Sequence, residues 1–306
     1  MATAGVHSID HYALNIPDTD DADRFIRTVG LDVERTGDEL KVRTAGNDHV
    51  WGRIFPGPQK SLAYLSLGCY AGDLESIRKQ VVAAGGALAS PHPSGDAEGF
   101  WFKDPDANLV QVKVAAKTQP DAKDALRDAS VPAAKRGAVN RSMAPMVRPT
   151  RLSHILFFTP DVSRALAFYR DAVGLNPSDR AGEIIAFMHA KHGCDHHLIA
   201  FAKSQHKGIH HTSWDVPSID DVGLAQAQMR KAGHTQQWGV CRHVLGSNYF
   251  CYTRDPWGSW WEHSCHIDYV PAGTRWDAGD HPPEDSLYLW GPDMPPNFIE
   301  NVERPA

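Results

Sequence analysis

Glu262 is a carboxylate set among tryptophans, in Trp260-Trp261-Glu262-His263-Ser264. This segment reads as the return half of a hairpin. The outgoing half is Tyr249-Phe250-Cys251-Tyr252-Thr253 and the turn is Asp255-Pro256-Trp257-Gly258. Aromatic and β-branched residues suit strands, and Pro and Gly suit the turn between them. Side chains alternate along a strand, so Trp260, Glu262 and Ser264 share one face. A carboxylate buried there alone is costly and needs a cation, a donor or a metal. The plain alternative is a rim Glu that reaches water. Partners elsewhere in the chain decide between the two, and histidine is the type to look for. The chain has 17 of them, and imidazole both binds metals and moves protons near neutral pH.

The elements that would hold such partners occur twice. An apolar segment from Ser8 to Ile16 ends in Pro17-Asp18, and a helical pattern from about Asp20 to Val29 stops at Gly30. Strand-like pieces follow at Leu40–Arg43, Val50–Phe55 and Leu62–Leu67. A second helical pattern, Asp73 to Ala84, ends at Gly85-Gly86. Gly99 to Phe102 then leads through Asp104-Pro105 into Leu109–Val114. Residues 116–149 contain no aromatic residue and are rich in Lys, Ala, Asp, Pro and Arg. They read as an interdomain connection with one helix, Asp121 to Ala129. After it the pattern restarts. His154 falls where His11 fell, Pro160-Asp161 where Pro17-Asp18 did, Gly174-Leu175 where Gly30-Leu31 did, and Asp255-Pro256 restates Asp104-Pro105. The chain is therefore a duplicated domain of α+β class, each half built from two strand-helix-strand-strand-strand units.

The repeat selects the partners of Glu262. Aligning Val216-Pro217 with Thr159-Pro160 puts His211, not His210, opposite His154. Strand alternation turns the two neighbours to opposite faces, so only one faces a pocket. In the N-terminal half the same three positions are His11, about Tyr64, and Gln111, which has no carboxylate. The expectation is one metal site, His154, His211 and Glu262, in the C-terminal half. Two neutral imidazoles and a carboxylate form a facial triad with open positions, suited to non-haem Fe(II) and oxygen chemistry.

Composition narrows the class. Hydrophobic residues are 42% and charged residues 22%, as in a globular protein with ample core. The net charge of -6 argues against a nucleic-acid surface. No apolar run approaches the roughly 18 residues of a membrane span, and the N-terminus has no signal pattern, which predicts a cytoplasmic protein. Five cysteines without a CxxC pair fit reduced thiols.

The segments SHILFFTPD, DHHLIAF, GIHHTSWDVPSIDDVG, CRHVLGSNYFCYTRDPWG and WWEHS, spanning His154 to Glu262, resemble the type I extradiol catechol dioxygenases of the vicinal oxygen chelate superfamily. That family's last signature carries a His, a Tyr nine residues on and the Glu ligand ten further; His243, Tyr252 and Glu262 keep both spacings. The resemblance implies two domains, each of two βαβββ modules forming an open barrel-like sheet. It divides the chain into 1–115, 116–149 as linker, 150–268 as catalytic domain, and 269–306 as tail. It implies cleavage of a catechol-type diol with both atoms of O2 in aromatic-compound degradation, and Fe(II), less readily Mn(II), on His154, His211 and Glu262. His197 is then an acid-base group beside the O2 position, preferred over His196 because it adjoins the apolar run. Tyr252 and His243 hydrogen-bond the substrate oxygens. Members are commonly homo-oligomers.

Three other readings share the fold: a different metalloenzyme such as a glyoxalase-type isomerase, a hydroxyphenylpyruvate-type dioxygenase, and a non-catalytic ligand-binding protein. The first usually lacks the His197 and Tyr252 positions, the second has a C-terminal signature not found here, and the intact triad argues against the third. The tail, with Tyr269, Trp276, His281, Tyr288 and Trp290, is too aromatic for a disordered end. It reads first as a strap packed on the surface, and second as a lid over the pocket.

Overall fold

The computed structural model describes residues 4–125, 131 and 133–303. The N-terminal half runs β1 (Ser8–Ile16), α1 (Thr19–Val29), β2 (Asp32–Thr36), β3 (Glu39–Arg43) and β4 (Gly52–Pro56). It repeats as β5 (Ser61–Cys69), α2 (Leu74–Ala83), β6 (Ala87–Ala89), β7 (Phe100–Lys103) and β8 (Leu109–Val114). The C-terminal half runs β9 (Arg151–Thr159), α3 (Val162–Val173), β10 (Leu175–Ala181), β11 (Ile185–Ala190), a two-residue β12 (Cys194–Asp195) and β13 (Ile199–Lys203). It repeats as β14 (Gly208–Asp215), α4 (Ile219–Lys231), β15 (Gln237–His243), β16 (Tyr249–Arg254) and β17 (Trp260–Cys265). The tail adds β18 (Tyr269–Val270), β19 (Gly279–Asp280) and β20 (Tyr288–Trp290).

Two sheets result. The first has the order β2-β3-β4-β1-β5-β8-β7-β6. The second has β10-β11-β13-β9-β14-β17-β16-β15 with β19 added beside β10 and β20 beside β15. β12 pairs with β18 outside both. Corresponding helices start and stop alike. Asp18 caps α1 by accepting from the Asp20 and Asp21 amides, and Asp161 caps α3 by accepting from the Arg164 amide. Both helices end at a glycine with positive φ, Gly30 and Gly174. These two positions exclude any side chain on a second count: a Cβ would lie 2.1 Å from the Val147 carbonyl oxygen at Gly30 and 2.2 Å from that of Ala4 at Gly174.

The ladder registers bear out the repeat. In the first sheet His11 pairs with Ser66 and Ser66 with Gln111. In the second His154 pairs with Ser213 and Ser213 with Glu262. Tyr64 and His211 each stand two residues before the central serine, on the same face of their strands. Trp214 and Trp261 stack at 5.9 Å on the opposite side of β14 and β17, in the main core with Phe25.

Two expectations are corrected. Asp121 to Ala125 form bends and irregular chain, not helix, and the rest of that predicted helix lies outside the described residues. β2 was not foreseen: it is an edge strand of mostly charged residues with only Val33 buried, so it carries no hydrophobic alternation. All five cysteines are buried and free. Among the described residues no helix is long and apolar enough to cross a membrane.

Candidate metal centre and cavity

His154 on β9, His211 on β14 and Glu262 on β17 converge, with one ligand atom of each within 4.8 Å of the others. They are 2%, 3% and 0% exposed. Glu262 Oε2 lies 3.2 Å from His154 Nε2 and 3.5 Å from His211 Nε2. Neither Glu262 Oε2 nor His211 Nε2 has a hydrogen-bond partner, an expensive state for buried polar atoms. Glu262 Oε1 accepts from Asn248 Nδ2 at 2.9 Å. Burial drives His211 well below the imidazole range, to its neutral form.

Outer contacts fix which nitrogen of each ring carries the proton. Ser153 Oγ donates to Asp195 Oδ2 at 2.7 Å, so it accepts from His154 Nδ1 at 3.1 Å. His210 donates from Nε2 to the Phe298 carbonyl at 2.8 Å, so its Nδ1 accepts from His211 Nδ1 at 2.7 Å. Both inner rings therefore keep a lone pair on Nε2, the atom that faces Glu262.

His197, His243 and Tyr252 line the same cavity, of about 230 Å³, with His154 and His211. His197 packs against His154 with ring centroids 4.0 Å apart. Its pKa is driven far down, first by burial. His243 donates from Nδ1 to the Leu287 carbonyl at 2.6 Å and accepts at Nε2 from the Tyr252 hydroxyl at 3.1 Å. Burial raises the Tyr252 phenol well above its ordinary value, so it stays protonated and able to donate.

Similarity places this constellation in a family. The model of the Glyoxalase/Bleomycin resistance protein/Dioxygenase superfamily matches residues 151–263. Metapyrocatechase 2 of Cupriavidus necator is 54% identical over 298 residues, 97% of this chain and 93% of that protein. The chain belongs to the extradiol ring-cleaving dioxygenases of that superfamily. Solved structures share its fold. Homoprotocatechuate 2,3-dioxygenase from Brevibacterium fuscum, in an anaerobic substrate complex, superimposes with a TM-score of 0.78 at 16% identity over 98% of this chain and 94% of that one. The Mn(II)-bound glyoxalase from Novosphingobium aromaticivorans gives 0.75 at 23% identity over 94% and 93%.

This dioxygenase departs from the sequence-based expectation at His210, at Asn248 and in the tail, and adds a contact at His196. His210 does not turn to the opposite face: a register shift between Ile209 and His211 in the β9–β14 ladder lets both histidines line the cavity. His196 does turn away from the cavity, but it is fully buried and hydrogen-bonded to His197, Nδ1 to Nδ1, at 3.0 Å. Asn248, which holds Glu262, was missed because nothing distinguishes it from a turn asparagine in Gly246-Ser247-Asn248. The tail is more than a surface strap, since Pro283, Leu287, Met294 and Phe298 form one wall of the cavity.

The N-terminal counterpart of the triad is a satisfied polar cluster. His11 Nε2 meets the Tyr64 hydroxyl at 3.0 Å. Gln111 accepts from Ser66 at 2.9 Å and donates to Asp96 and to the Glu98 carbonyl. Its polar atoms have partners, where Glu262 Oε2 and His211 Nε2 have none.

Proposed function

We propose that this dioxygenase opens catechol-type diols at a single divalent metal, Fe(II) or Mn(II), held by His154, His211 and Glu262. The observation that carries the reading is the pair of partnerless buried atoms, Glu262 Oε2 and His211 Nε2. Ligands about 2.1 Å from one ion and at right angles to each other stand about 3 Å apart, close to the 3.2 and 3.5 Å observed. When bound, the metal would chelate the diol and supply the redox coupling between ring and O2. The Mn(II)-bound glyoxalase from Novosphingobium aromaticivorans, which shares the fold, keeps manganese in view beside iron.

The chain's own groups do the remaining work. Tyr252 and His243 place a donor and an acceptor at the diol oxygens and fix the ring's orientation. His197, neutral through burial, is suited to take a diol proton on Nε2 and later to return it. Leu156, Phe187, Leu245, Leu287 and Phe298 keep water out. We further infer that residues 1–115 act as scaffold, 116–149 connect, 150–268 carry the chemistry and 269–306 close the cavity.

Oxygen uptake with a panel of catechols after anaerobic Fe(II) loading tests the reading, and absence of uptake with every catechol overturns it. The cavity wall predicts the order within the panel. The one ammonium among the lining residues, Lys203, is exposed and donates to the Pro160 carbonyl. Catechols with alkyl or aryl substituents should therefore exceed carboxylated ones in kcat/KM by about 100-fold, since leaving a polar group unpaired in an apolar wall costs about 2–3 kcal/mol. Equal values would show that a substituent's charge is met elsewhere.

Metal content gives a second check. Gln111 and its partners leave no open ligand set in the first sheet, so one ion per chain is expected by elemental analysis. Two ions per chain would contradict the assignment of the N-terminal cluster.

A further inference from the structure

His196 and His197 are adjacent buried imidazoles, and their hydrogen bond has room for one proton between the two Nδ1 atoms. The remaining contacts decide which ring supplies it. His196 Nε2 stands 2.8 Å from Asp179 Oδ2. Asp179 is a carboxylate surrounded by donors: the Gly279 amide at 2.8 Å and His281 Nε2 at 2.8 Å, both on Oδ1, and Trp276 Nε1 at 3.2 Å on Oδ2. Burial raises its pKa, but these contacts, led by His196, bring it down to about 2. It is an acceptor at neutral pH, so His196 must donate to it from Nε2.

An imidazole that donates to Asp179 from Nε2 and carries no second proton has only a lone pair on Nδ1, so His197 donates from its own Nδ1. We propose that Asp179 and His196 are positioning residues that fix the tautomer of His197, so that Nδ1 carries the proton and Nε2 offers its lone pair to the cavity. The His210–His211 pair has the same form, with the Phe298 carbonyl as the anchoring acceptor. The turn after His243 runs beside the pair. Gly246 has φ +89°, and a Cβ there would lie 3.5 Å from both His196 Nδ1 and His197 Cε1, so the backbone of the 246–248 turn lies against the histidine pair. The perpendicular rings, 88° apart, and the edge contact of Trp276 with His196 hold the geometry. The chain from Asp179 moves no net charge. It selects one of two neutral forms of His197, and only that form can accept a proton from a diol hydroxyl at Nε2.

The proposal rests on the assignment of His197 as the acid-base group, but its direct test does not. In full-length protein labelled with ¹⁵N-histidine and free of metal, long-range ¹H–¹⁵N correlation reports the tautomer of each ring, and the His197 signal is identified by its loss in His197→Gln. Nδ1–H on His197 is expected, and Nε2–H overturns the proposal whatever the activity is. Two variants separate positioning from packing in the metal-loaded enzyme. His196→Asn sets an amide oxygen near the old Nδ1 and keeps an acceptor for His197. His196→Gln keeps a donor for Asp179 and loses that acceptor. The Gln variant should lose 10- to 100-fold in kcat, the usual range for a group that orients another, with KM within about twofold and with His197 shifted toward Nε2–H. The Asn variant should recover most of kcat and keep Nδ1–H. Equal loss in both, with the His197 tautomer unchanged, would reduce His196 to a packing residue and refute the proposal. Ring cleavage failing in wild type while Nδ1–H is seen would count against the proposed reaction alone.

Discussion

Glu262→Gln should give a folded protein that no longer retains metal. The carboxylate is the only anion of the triad and sits with no exposure between two imidazole lone pairs. The amide offers an uncharged oxygen to Asn248 and an N–H to the neighbouring imidazoles, so the metal-free fold loses little. Removing a buried carboxylate with one partnerless oxygen is expected to leave the melting temperature of the metal-free form equal or higher, while the stabilisation that metal adds to wild type disappears. Elemental analysis after gel filtration and paired melting curves measure both. Full metal content in the variant would remove Glu262 from the ligand set. A collapse of the metal-free fold would show that the carboxylate serves structure first.

His197→Gln should separate binding from chemistry. The residue lines the cavity beside His154 but does not belong to the converging triad. Metal content and anaerobic catechol affinity should stay within a few-fold of wild type. Turnover should fall by roughly 100- to 10,000-fold, the scale for losing a general acid-base group. Anaerobic substrate titration followed by an oxygen pulse resolves the two steps. Unchanged turnover with metal bound would move the acid-base role elsewhere, and His243 would be the next residue to test.

The triad was legible in the sequence because a sheet ladder links its members at fixed register. The repeat gave His11 and His154 the same place in their strands, and the serine pairings carried that place across to Gln111 and Glu262. Helices α1 and α3 were legible through the Asp before each and the glycine that stops it. What escaped depends on geometry that alternation does not encode. The shift beside His211 brings His210 to the cavity, and the bend at His196 turns an apparently idle ring into a partner of His197. The tail's role was hidden because Leu287 and Phe298 reach His243 and His210 through backbone carbonyls, and an acceptor that every residue possesses leaves no mark in the residue type.

The two tail strands have a consequence for the behaviour of the protein at high concentration. A sheet with open edges presents unpaired amides and carbonyls to any passing chain, and that is how strands recruit one another into aggregates. Here β19 lies along Asp179 and Arg180 of β10, and β20 along Arg242 and His243 of β15, so part of each margin of the ten-stranded sheet is occupied by the chain itself. The new margins are two and three residues long, too short to template an intermolecular ladder of any length. The segment that walls the cavity thus also guards the sheet against self-association, and nicking it in limited proteolysis should show first as turbidity.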